Sequence, residues 1–254
     1  MNTLSIDIGN SSTKVDSWAD DGFIRRESAS SFEDILRVAQ QLNIEAMIVS
    51  TVRNDSAPLI EKLRENTEAT VVEFSEEEFR KHYDFSAYKG HLGSDRAAAF
   101  LGAEFLFPQT PKLIVDAGTA LTIDVADDKG NFKGGNISLG YQSRLKALAK
   151  ATSRLPEVMN KENGQDCRFF GTDTIEAITF GAGNGLVGEV KYSAEMAKKE
   201  YGIKLVMLTG GDADKIRFPK NEYTTLTDPY LVGRGLDFHL RTKHLNVPVG
   251  YPQI

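Results

Sequence analysis

Two short stretches of the sequence contain the residue types that bind nucleotide phosphates. Each reads Asp-x-Gly followed by small polar residues: "DIGNSST" begins at Asp7 and "DAGTALT" begins at Asp116. Glycine lets the backbone N–H groups of such a turn approach a bound anion closely. The carboxylate would repel a phosphate directly, so it indicates a cation such as Mg²⁺ between the two. One copy is typical of a structural Asx turn, whereas two copies favour the anion-binding interpretation.

A third stretch, "GHLGSDRAAAF", could supply a base. Asp95 lies at the predicted start of an alanine-rich helix, where the positive end of the helix dipole favours a carboxylate. Arg96 follows it directly and could hold an acidic group of a substrate. An N-cap aspartate beside a solvated arginine is the alternative interpretation of the same two residues.

Two glycine-rich motifs are weaker evidence for a nucleotide-binding site. The run at 183–188 spells GxGxxG, which binds dinucleotides only where a strand precedes it. The preceding segment instead predicts a helix start, with Asp173 and Glu176 at capping-box spacing, so these glycines should lie inside a helix. The glycine pair at 210–211 follows a predicted strand and could accept a flat ring or a sugar, or form an ordinary β-to-α turn. The sequence contains no P-loop motif.

The histidines and the cysteine do not predict a site. His82, His91, His239 and His244 have no metal-type partner at ligand spacing, so we expect structural or surface roles for them. Cys167 lies in a polar loop without a neighbouring histidine and is expected to be a surface thiol rather than a nucleophile. A single cysteine suits a reducing compartment.

Composition and charge narrow the class of protein. The chain has 254 residues, a net charge of −6, 41% hydrophobic residues and 26% charged residues. The negative charge argues against nucleic acid or an anionic membrane surface as the main partner. The apolar runs are too short for a membrane span and the start of the chain lacks a secretion signal, so we expect a cytoplasmic globular protein.

The elements that must position these residues occur twice. Strands are predicted at 3–8, 13–18 and 23–28, and the order strand, Asp-x-Gly turn, strand, Asp-Asp turn, strand returns in the second half. A repeat of this length is too long for a solenoid and predicts two homologous α/β domains, at 1–110 and 111–254. Each should be a sheet with flanking helices, and a cleft should separate the domains.

Helical periodicity and capping signals predict the other elements. A loop is expected from Phe74 to Leu92, and a variable polar loop at 151–171. The predicted helices cover 31–43, 56–66, a stretch from Gly93, 140–150, 173–199 and 228–242, and further strands are predicted at 46–52, 69–74 and 204–211.

Together these motifs resemble the type III pantothenate kinases of the acetate and sugar kinase, Hsp70 and actin superfamily. The shared segments are "DIGNS", "GSDR", "DAGTALTID", "GGNISLG" and "TGGD", in the family's order over residues 7–212. The resemblance implies two duplicated ribonuclease H-like (actin-like ATPase) domains, each a mixed sheet with flanking helices. It also implies ATP-dependent phosphorylation of pantothenate to 4′-phosphopantothenate, the first step of coenzyme A biosynthesis, by a homodimer.

The resemblance also implies roles for individual residues. Asp95 would be the general base, Asp116 would bind a monovalent cation, K⁺ or NH₄⁺, and Asp7 would lie near Mg²⁺, directly or through water. The ATP phosphate loop would comprise Asp7, Ile8, Gly9, Asn10, Ser11, Ser12, Thr13 and Lys14, with Thr119 as a further contact. The pantothenate pocket would comprise Tyr88, Gly93, Ser94, Asp95, Arg96 and Thr174.

Two departures from the family pattern and two rival functions accompany the resemblance. Leu139 stands where the family has a proline, in a turn without a catalytic group. The loop before Gly93 lacks a proline that is often found there, which leaves the place of Tyr88 open. One rival is a kinase of the same superfamily with another acceptor. The other is a nucleotide-binding accessory or regulatory protein without turnover, and retention of the three aspartates favours catalysis over it.

Overall fold

The computed structural model describes residues 1–53, 57–158, 169–219 and 222–247. The chain divides into two compact units. Unit 1 contains residues 1–110, residues 130–132 and the segment that begins at Tyr230, and unit 2 contains residues 111–129 and 133–229. The helices are α1 (Phe32–Gln41), α2 (Ala57–Asn66), α3 (Glu76–His82), α4 (Ser94–Leu106), α5 (Tyr141–Ala151), α6 (Thr174–Tyr201) and α7 (Leu231–His239), and a π-helical turn follows α7 at Leu240–His244.

Unit 1 is built on a five-stranded mixed sheet. Its strands are β1 (Thr3–Ile8), β2 (Thr13–Ala19), β3 (Gly22–Ala29), β4 (Ala46–Thr51) and β5 (Thr70–Glu73). They lie in the order β3-β2-β1-β4-β5, with antiparallel pairing among β1, β2 and β3 and parallel pairing among β1, β4 and β5. The central strands β1 and β4 are almost completely buried, because helices and strands cover them on all sides.

Helix α1 begins where its sequence signal predicts. The Ser31 hydroxyl accepts a hydrogen bond from the Asp34 N–H, and the Asp34 carboxylate accepts one from the Ser31 N–H, which together form a capping box. Ile35, Val38 and Ala39 form the buried stripe of the helix. The cap and the stripe fix both the start of α1 and the face that it turns to the core of unit 1.

Helices α4 and α7 pack backbone against backbone within unit 1. A Cβ atom on Gly102 of α4 would overlap the Leu231 carbonyl oxygen, and one on Gly235 of α7 would overlap the Ala98 carbonyl oxygen. Glycine therefore permits this close approach. The packing makes α7 part of unit 1, which differs from the sequence prediction of a second domain over 111–254 that includes the last helix.

Unit 2 has a second five-stranded sheet with the same connectivity. Its strands are β6 (Lys112–Ala117), β7 (Ala120–Ala126), β8 (Phe132–Leu139), β9 (Leu205–Thr209) and β10 (Thr224–Thr227), in the order β10-β9-β6-β7-β8. Strand β6 pairs antiparallel with β7 and parallel with β9, as β1 does with β2 and β4. The shared connectivity confirms the predicted duplication of a mixed-sheet α/β fold.

Two short elements differ from the sequence expectation. The stretch expected as a loop from Phe74 to Leu92 contains α3, and Ser75 caps this helix by accepting a hydrogen bond from the Glu78 N–H. Strand β10 forms where no strand was predicted. Both elements are short and mostly polar, so neither carries enough apolar periodicity to be recognised.

Candidate active site

The first Asp-x-Gly stretch forms the hairpin between β1 and β2. Asp7 lies opposite Lys14 in the antiparallel register. The Gly9 N–H donates a hydrogen bond of 3.0 Å to the Ser12 carbonyl oxygen and closes the turn. Residues 10–12 are exposed, so the tip presents one amide and two hydroxyl side chains to solvent. This is the arrangement that the sequence predicted for an anion-binding turn.

The Asp7 carboxylate lies at the carboxyl end of β1. Its side chain is 13% exposed, and the Lys14 ammonium nitrogen lies 4.0 Å from Asp7 Oδ2. On the other side, Asp7 is opposite Ser50 of β4. Magnesium in nucleotide sites is held by one or two carboxylates and keeps several waters. An accessible carboxylate beside a turn rich in hydroxyl groups therefore fits a hydrated Mg²⁺.

The first turn of α4 carries Asp95 and is fixed to the end of β4. The Ser94 hydroxyl donates to the Thr51 carbonyl oxygen at 3.0 Å and accepts from the Ser50 hydroxyl at 2.9 Å. Asp95 itself is partly exposed, and its Oδ1 accepts a hydrogen bond of 2.8 Å from the Arg96 N–H. The carboxylate is thus held on a rigid element while it remains accessible to a substrate hydroxyl.

Arg96 is buried among aromatic side chains of unit 1. It is 4% exposed, and its Nη1 donates a hydrogen bond of 3.1 Å to the Tyr88 hydroxyl. Its Cζ lies 5.0 Å from the centroid of the Tyr88 ring and 5.9 Å from that of Phe132. A desolvated guanidinium gains cation–π attraction at such distances. The structure therefore brings the predicted residues Tyr88, Asp95 and Arg96 together.

Helix α3 holds the loop that leads to Asp95. Arg80 Nη1 and Nη2 donate to the carbonyl oxygens of Phe85 and Gly90 at 3.2 and 3.1 Å. Glu76 Oε1 accepts from the Leu92 N–H at 3.1 Å and from Arg80 Nε at 2.7 Å. Burial raises the pKa of Glu76, but these hydrogen bonds outweigh that effect and hold the pKa below its ordinary value. The sequence analysis missed this support because it predicted no helix here.

The second Asp-x-Gly stretch forms the hairpin between β6 and β7. The Gly118 N–H donates to the Ala120 carbonyl oxygen at 3.0 Å. The carbonyl oxygen of Thr119 accepts from the Gly140 N–H at 3.1 Å and from the Ser143 hydroxyl at 2.6 Å. These bonds fix the turn to the start of α5, while Thr119 remains exposed.

Leu139 occupies the position of the family's proline without an apparent cost to this turn. It is the last residue of β8, and its side chain is 49% exposed. Its carbonyl oxygen accepts a hydrogen bond of 2.7 Å from Arg144 Nε. Gly140 follows and serves as the N-cap of α5. The chain therefore makes the turn from β8 into α5 with hydrogen bonds rather than with a proline ring.

Asp116 meets the glycine pair at the carboxyl edge of the second sheet. Gly210 has a φ of +90°, and a Cβ atom there would overlap both Asp116 Oδ1 and the Ala117 carbonyl oxygen. The Asp212 N–H donates to the same carbonyl at 2.9 Å. Carboxylate and carbonyl oxygens are ligands for hard cations. The donor set fits a hard ion, as the prediction of a monovalent cation at Asp116 requires.

Helix α6 contains two further features of the sequence, Thr174 and the glycine run at 183–188. Thr174 is its exposed first residue, and Asp173 caps it by accepting a hydrogen bond of 2.9 Å from the Glu176 N–H. The glycines at 183–188 lie inside α6, as predicted, so they lack the strand that a dinucleotide-binding loop requires.

In the part of the chain that the structure describes, neither α6 nor another helix is long and apolar enough to cross a bilayer. Cys167 lies outside the described residues.

The expectation that the histidines have no metal-type partner is wrong. His82, His239 and His244 converge with Glu78 in unit 1, and the four ligating atoms lie within 4.8 Å of one another. His91 instead forms a hydrogen bond with Glu76. The spacing Glu-x3-His on α3 and His-x4-His after α7 was visible in the sequence, but nothing there showed that the two pairs meet.

The chain is similar to known proteins both in sequence and in fold. The family model for type III pantothenate kinase matches residues 3–196. A type III pantothenate kinase of Bacteroides fragilis is 32% identical over 92% of this chain and 95% of its own length. One from Porphyromonas gingivalis is 44% identical, but the matched stretch covers 48% of this chain and half the length of that relative.

Among solved structures, a Campylobacter jejuni protein that carries a Baf family name is similar in fold. Its TM-score is 0.61 and its identity 22%, and the match covers 94% of this chain and 98% of that chain. A ROK hexokinase from Thermus thermophilus has a TM-score of 0.54 at 13% identity, over 96% of this chain and 100% of the other. These likenesses show that the chain shares the fold of those two proteins over nearly its whole length.

Proposed function

The chain belongs to the type III pantothenate kinase family, and we propose that it transfers the γ-phosphoryl group of ATP to the primary hydroxyl of pantothenate. The products are ADP and 4′-phosphopantothenate, and the reaction is the first step of coenzyme A biosynthesis. The family match and the names of relatives that cover nearly the whole chain support this function. The observation that carries it is the position of Asp95 in the first turn of α4, next to Arg96.

Asp95 acts as the general base. Its carboxylate accepts the proton of the pantothenate hydroxyl while the hydroxyl oxygen forms a bond to the γ-phosphorus and the bond to the ADP oxygen breaks. Phosphoryl transfer requires little covalent work from a protein beyond positioning, charge neutralisation and a base. The fixed start of α4 and the accessible carboxylate support this role.

Arg96 and its neighbours form the acceptor pocket. A guanidinium can hold the pantothenate carboxylate through two parallel hydrogen bonds. Tyr88 orients this guanidinium, and the residues Gly93 and Ser94 shape the turn in front of it. Thr174 is proposed as a further contact with pantothenate on the strength of the family resemblance and of its exposure at the start of α6.

The first hairpin binds the phosphates of ATP. The backbone and hydroxyl groups of residues 8–14 cradle the phosphate oxygens, and Thr119 of the second hairpin adds a contact. Asp7 would hold Mg²⁺, directly or through water, and the ion when bound neutralises charge on the phosphates. Lys14, with its ammonium group at the same end of the hairpin, contributes a further positive charge.

Asp116 is proposed to bind the monovalent cation, K⁺ or NH₄⁺. Its carboxylate and the Ala117 carbonyl oxygen lie together at the Gly210 turn. Gly210 belongs to the "TGGD" segment, so two of the resembled motifs meet at this point of unit 2. An ion held here would reduce the repulsion between the carboxylate and a nearby phosphate.

We also propose a cytoplasmic homodimer. Several large apolar side chains of unit 2 remain exposed, and a second copy of the chain would cover them. They include Ile137 at 60%, Leu139 at 49%, Ile175 at 44%, Tyr192 at 64% and Met196 at 37%.

A direct assay tests the proposal. Purified protein is incubated with ATP, Mg²⁺, K⁺ and pantothenate, and both ADP release and phosphopantothenate formation are followed. We expect equal amounts of the two products. ADP release that responds instead to a sugar or another acceptor would identify the rival kinase activity. Nucleotide binding without turnover on any acceptor of a panel would identify the accessory protein.

A further inference from the structure

We propose that Glu78, His82, His239 and His244 form a binding site for a divalent transition-metal ion, of which Zn²⁺ is the representative. The site lies within unit 1 and shares no residue with the proposed active site. The proposal of a metal site therefore does not depend on the proposed kinase activity.

The four ligating atoms lie within 4.8 Å of one another, and several of the distances between them are close to those of a tetrahedral site. Glu78 Oε1 lies 3.1 Å from His82 Nε2, 3.1 Å from His244 Nε2 and 3.7 Å from His239 Nε2. The Nε2 atoms of His239 and His244 lie 3.3 Å apart. Ligands about 2.0–2.1 Å from a tetrahedral zinc ion are separated by roughly 3.3–3.4 Å. The distances from Glu78 Oε1 to the three histidines, and the distance between the two Nε2 atoms, are therefore close to those around such an ion.

Two local features place these side chains on common faces. Glu78 and His82 are four residues apart on α3, so they project from the same side of that helix. His239 ends α7, and His244 ends the π-helical turn that follows. One turn of a π-helix spans about five residues, which brings residues i and i+5 to the same side. The short π-helical turn thus has a structural purpose: it aligns the second pair of ligands.

The chemistry of the donor set selects the class of ion. Three imidazoles with one carboxylate suit zinc and its neighbours, whereas Mg²⁺ and Ca²⁺ require mostly oxygen ligands. Four protein ligands leave no open position, which is typical of a structural rather than a catalytic zinc site.

Neighbouring groups support the ligands. The second ring nitrogen of His239, Nδ1, lies 3.3 Å from the Tyr83 hydroxyl, the type of outer contact that fixes the orientation of a ligating histidine. Lys81 Nζ lies 3.5 Å from Glu78 Oε2, the oxygen that does not face the cluster. The carboxylate can therefore keep this ion pair while Oε1 binds a metal.

The site is open enough for an ion to enter. The side chain of His239 is completely buried, whereas those of His82 and His244 are 31% and 26% exposed and that of Glu78 is 17% exposed. A bound ion would join α3 to the end of α7, two elements that lie far apart in the sequence. Since Arg80 and Glu76 of α3 hold the loop before α4, the ion would also reinforce the support of that loop.

Zinc binding by the full chain without a histidine tag tests the proposal. The protein is treated with a chelator, freed of it, and titrated with Zn²⁺ against a chromophoric competitor. We expect one high-affinity ion per chain. We expect Co²⁺ to give the intense visible absorption of a four-coordinate site. A free Zn²⁺ concentration about 100-fold above Kd should raise Tm by roughly 5–10 °C.

Two ligand variants and one matched control identify the residues. H82Q and H244Q should each weaken zinc binding by more than the roughly 10–100-fold that loss of an outer contact costs. His91 is the one histidine of the sequence that is not in the cluster, so H91Q should bind zinc as the unchanged protein does. Circular dichroism shows whether each variant is folded. The Co²⁺ spectrum of the unchanged protein tests the coordination of the site even if a variant fails to fold.

Three results would each overturn the proposal. The first is that the unchanged protein binds no zinc or gives a six-coordinate Co²⁺ spectrum. The second is that H82Q and H244Q bind zinc as tightly as the unchanged protein. The third is that H91Q weakens binding as much as the two ligand variants do. After any of these results, the cluster would be a group of histidines that form hydrogen bonds around Glu78.

Discussion

The Arg96 guanidinium donates a hydrogen bond of 3.1 Å to the Tyr88 hydroxyl, and its Cζ lies 5.0 Å from the centroid of the same ring. The sequence left the place of Tyr88 open, because the loop before Gly93 lacks a proline that is often found in the family. In the structure, hydrogen bonds from Arg80 to two carbonyl oxygens of the loop hold it in place without that proline. We therefore propose that Tyr88 positions Arg96 in the acceptor pocket.

Tyr88→Phe should weaken the binding of pantothenate. The change removes one hydrogen bond to a buried cation, which is worth about 1.5–3 kcal/mol, and leaves the ring in place. We expect KM for pantothenate to rise roughly 10-fold or more, with a smaller change in kcat and none in KM for ATP. Steady-state kinetics with each substrate varied would measure this. Tyr201→Phe, at the last residue of α6 in unit 2, is the control. An unchanged KM for pantothenate would contradict the role of Tyr88.

Asp95→Asn should abolish most of the turnover while both substrates still bind. General-base catalysis contributes about 10²–10⁴-fold in rate, and the amide cannot accept the proton of the hydroxyl. We expect kcat to fall by a factor in that range, with calorimetry showing nearly unchanged binding of ATP and pantothenate. Asp84→Asn changes an exposed aspartate of the preceding loop and serves as the control. Near-normal turnover in D95N would remove Asp95 from the role of base.

Asp116→Ala should weaken the activation by monovalent cations. Loss of the only charged ligand proposed for the ion should raise the K⁺ concentration for half-maximal activity about 10-fold or more. Initial rates measured across a K⁺ series, with Na⁺ keeping the ionic strength constant, test this. Asp128→Ala, in the exposed turn after β7, is the matched change. If the dependence on K⁺ is the same in D116A as in the unchanged protein, the ion binds elsewhere.

Gly210→Ala should destabilise the protein, whereas Gly211→Ala should not. Gly210 has a φ of +90° and no room for a Cβ atom beside Asp116, while the space around Gly211 is open. We expect a loss of about 1–3 kcal/mol in the free energy of unfolding for G210A. Urea denaturation of the two variants compares them directly. Equal stability would show that the turn adjusts without strain.

Ile137→Glu should shift the protein from dimer to monomer. Ile137 lies in β8 of unit 2 and its side chain is 60% exposed, so a charge there should be tolerated in one chain and costly in an apolar interface. Light scattering coupled to size-exclusion chromatography would measure the mass. Ile24→Glu places the same charge at a 40% exposed isoleucine of unit 1. A dimer that persists in I137E would exclude this part of unit 2 as the interface.

Much of the fold was predictable because local signals were strong. The apolar strands of the two sheets, the Ser31 cap of α1 and the Asp173 cap of α6 all rely on neighbours close in sequence. The duplication was readable because both copies keep the same order of strands and turns. Helix α3 was not predictable in this way, since seven mostly charged residues are stabilised by a cap and by one buried phenylalanine.

The placement of α7 required the tertiary structure. Its sequence shows a helix, but the partner of that helix depends on glycines in α4 and α7 whose backbones touch. A glycine in the sequence does not show which distant segment will pack against it. The boundary at residue 110 therefore describes where the repeat begins, while the last helix returns to unit 1.

The sequence by itself determined the chemical residues of the proposed active site. Asp7, Asp95 and Asp116 lie in short motifs that are recognisable from neighbouring residues alone, although distant residues such as Ser50 and Ser143 help to hold two of these turns. Only the tertiary structure decided which side chains from distant segments meet. The convergence of Glu78 and His82 with His239 and His244 is the clearest case, because it depends on the packing of elements that lie far apart in the sequence. No local spacing specifies that packing.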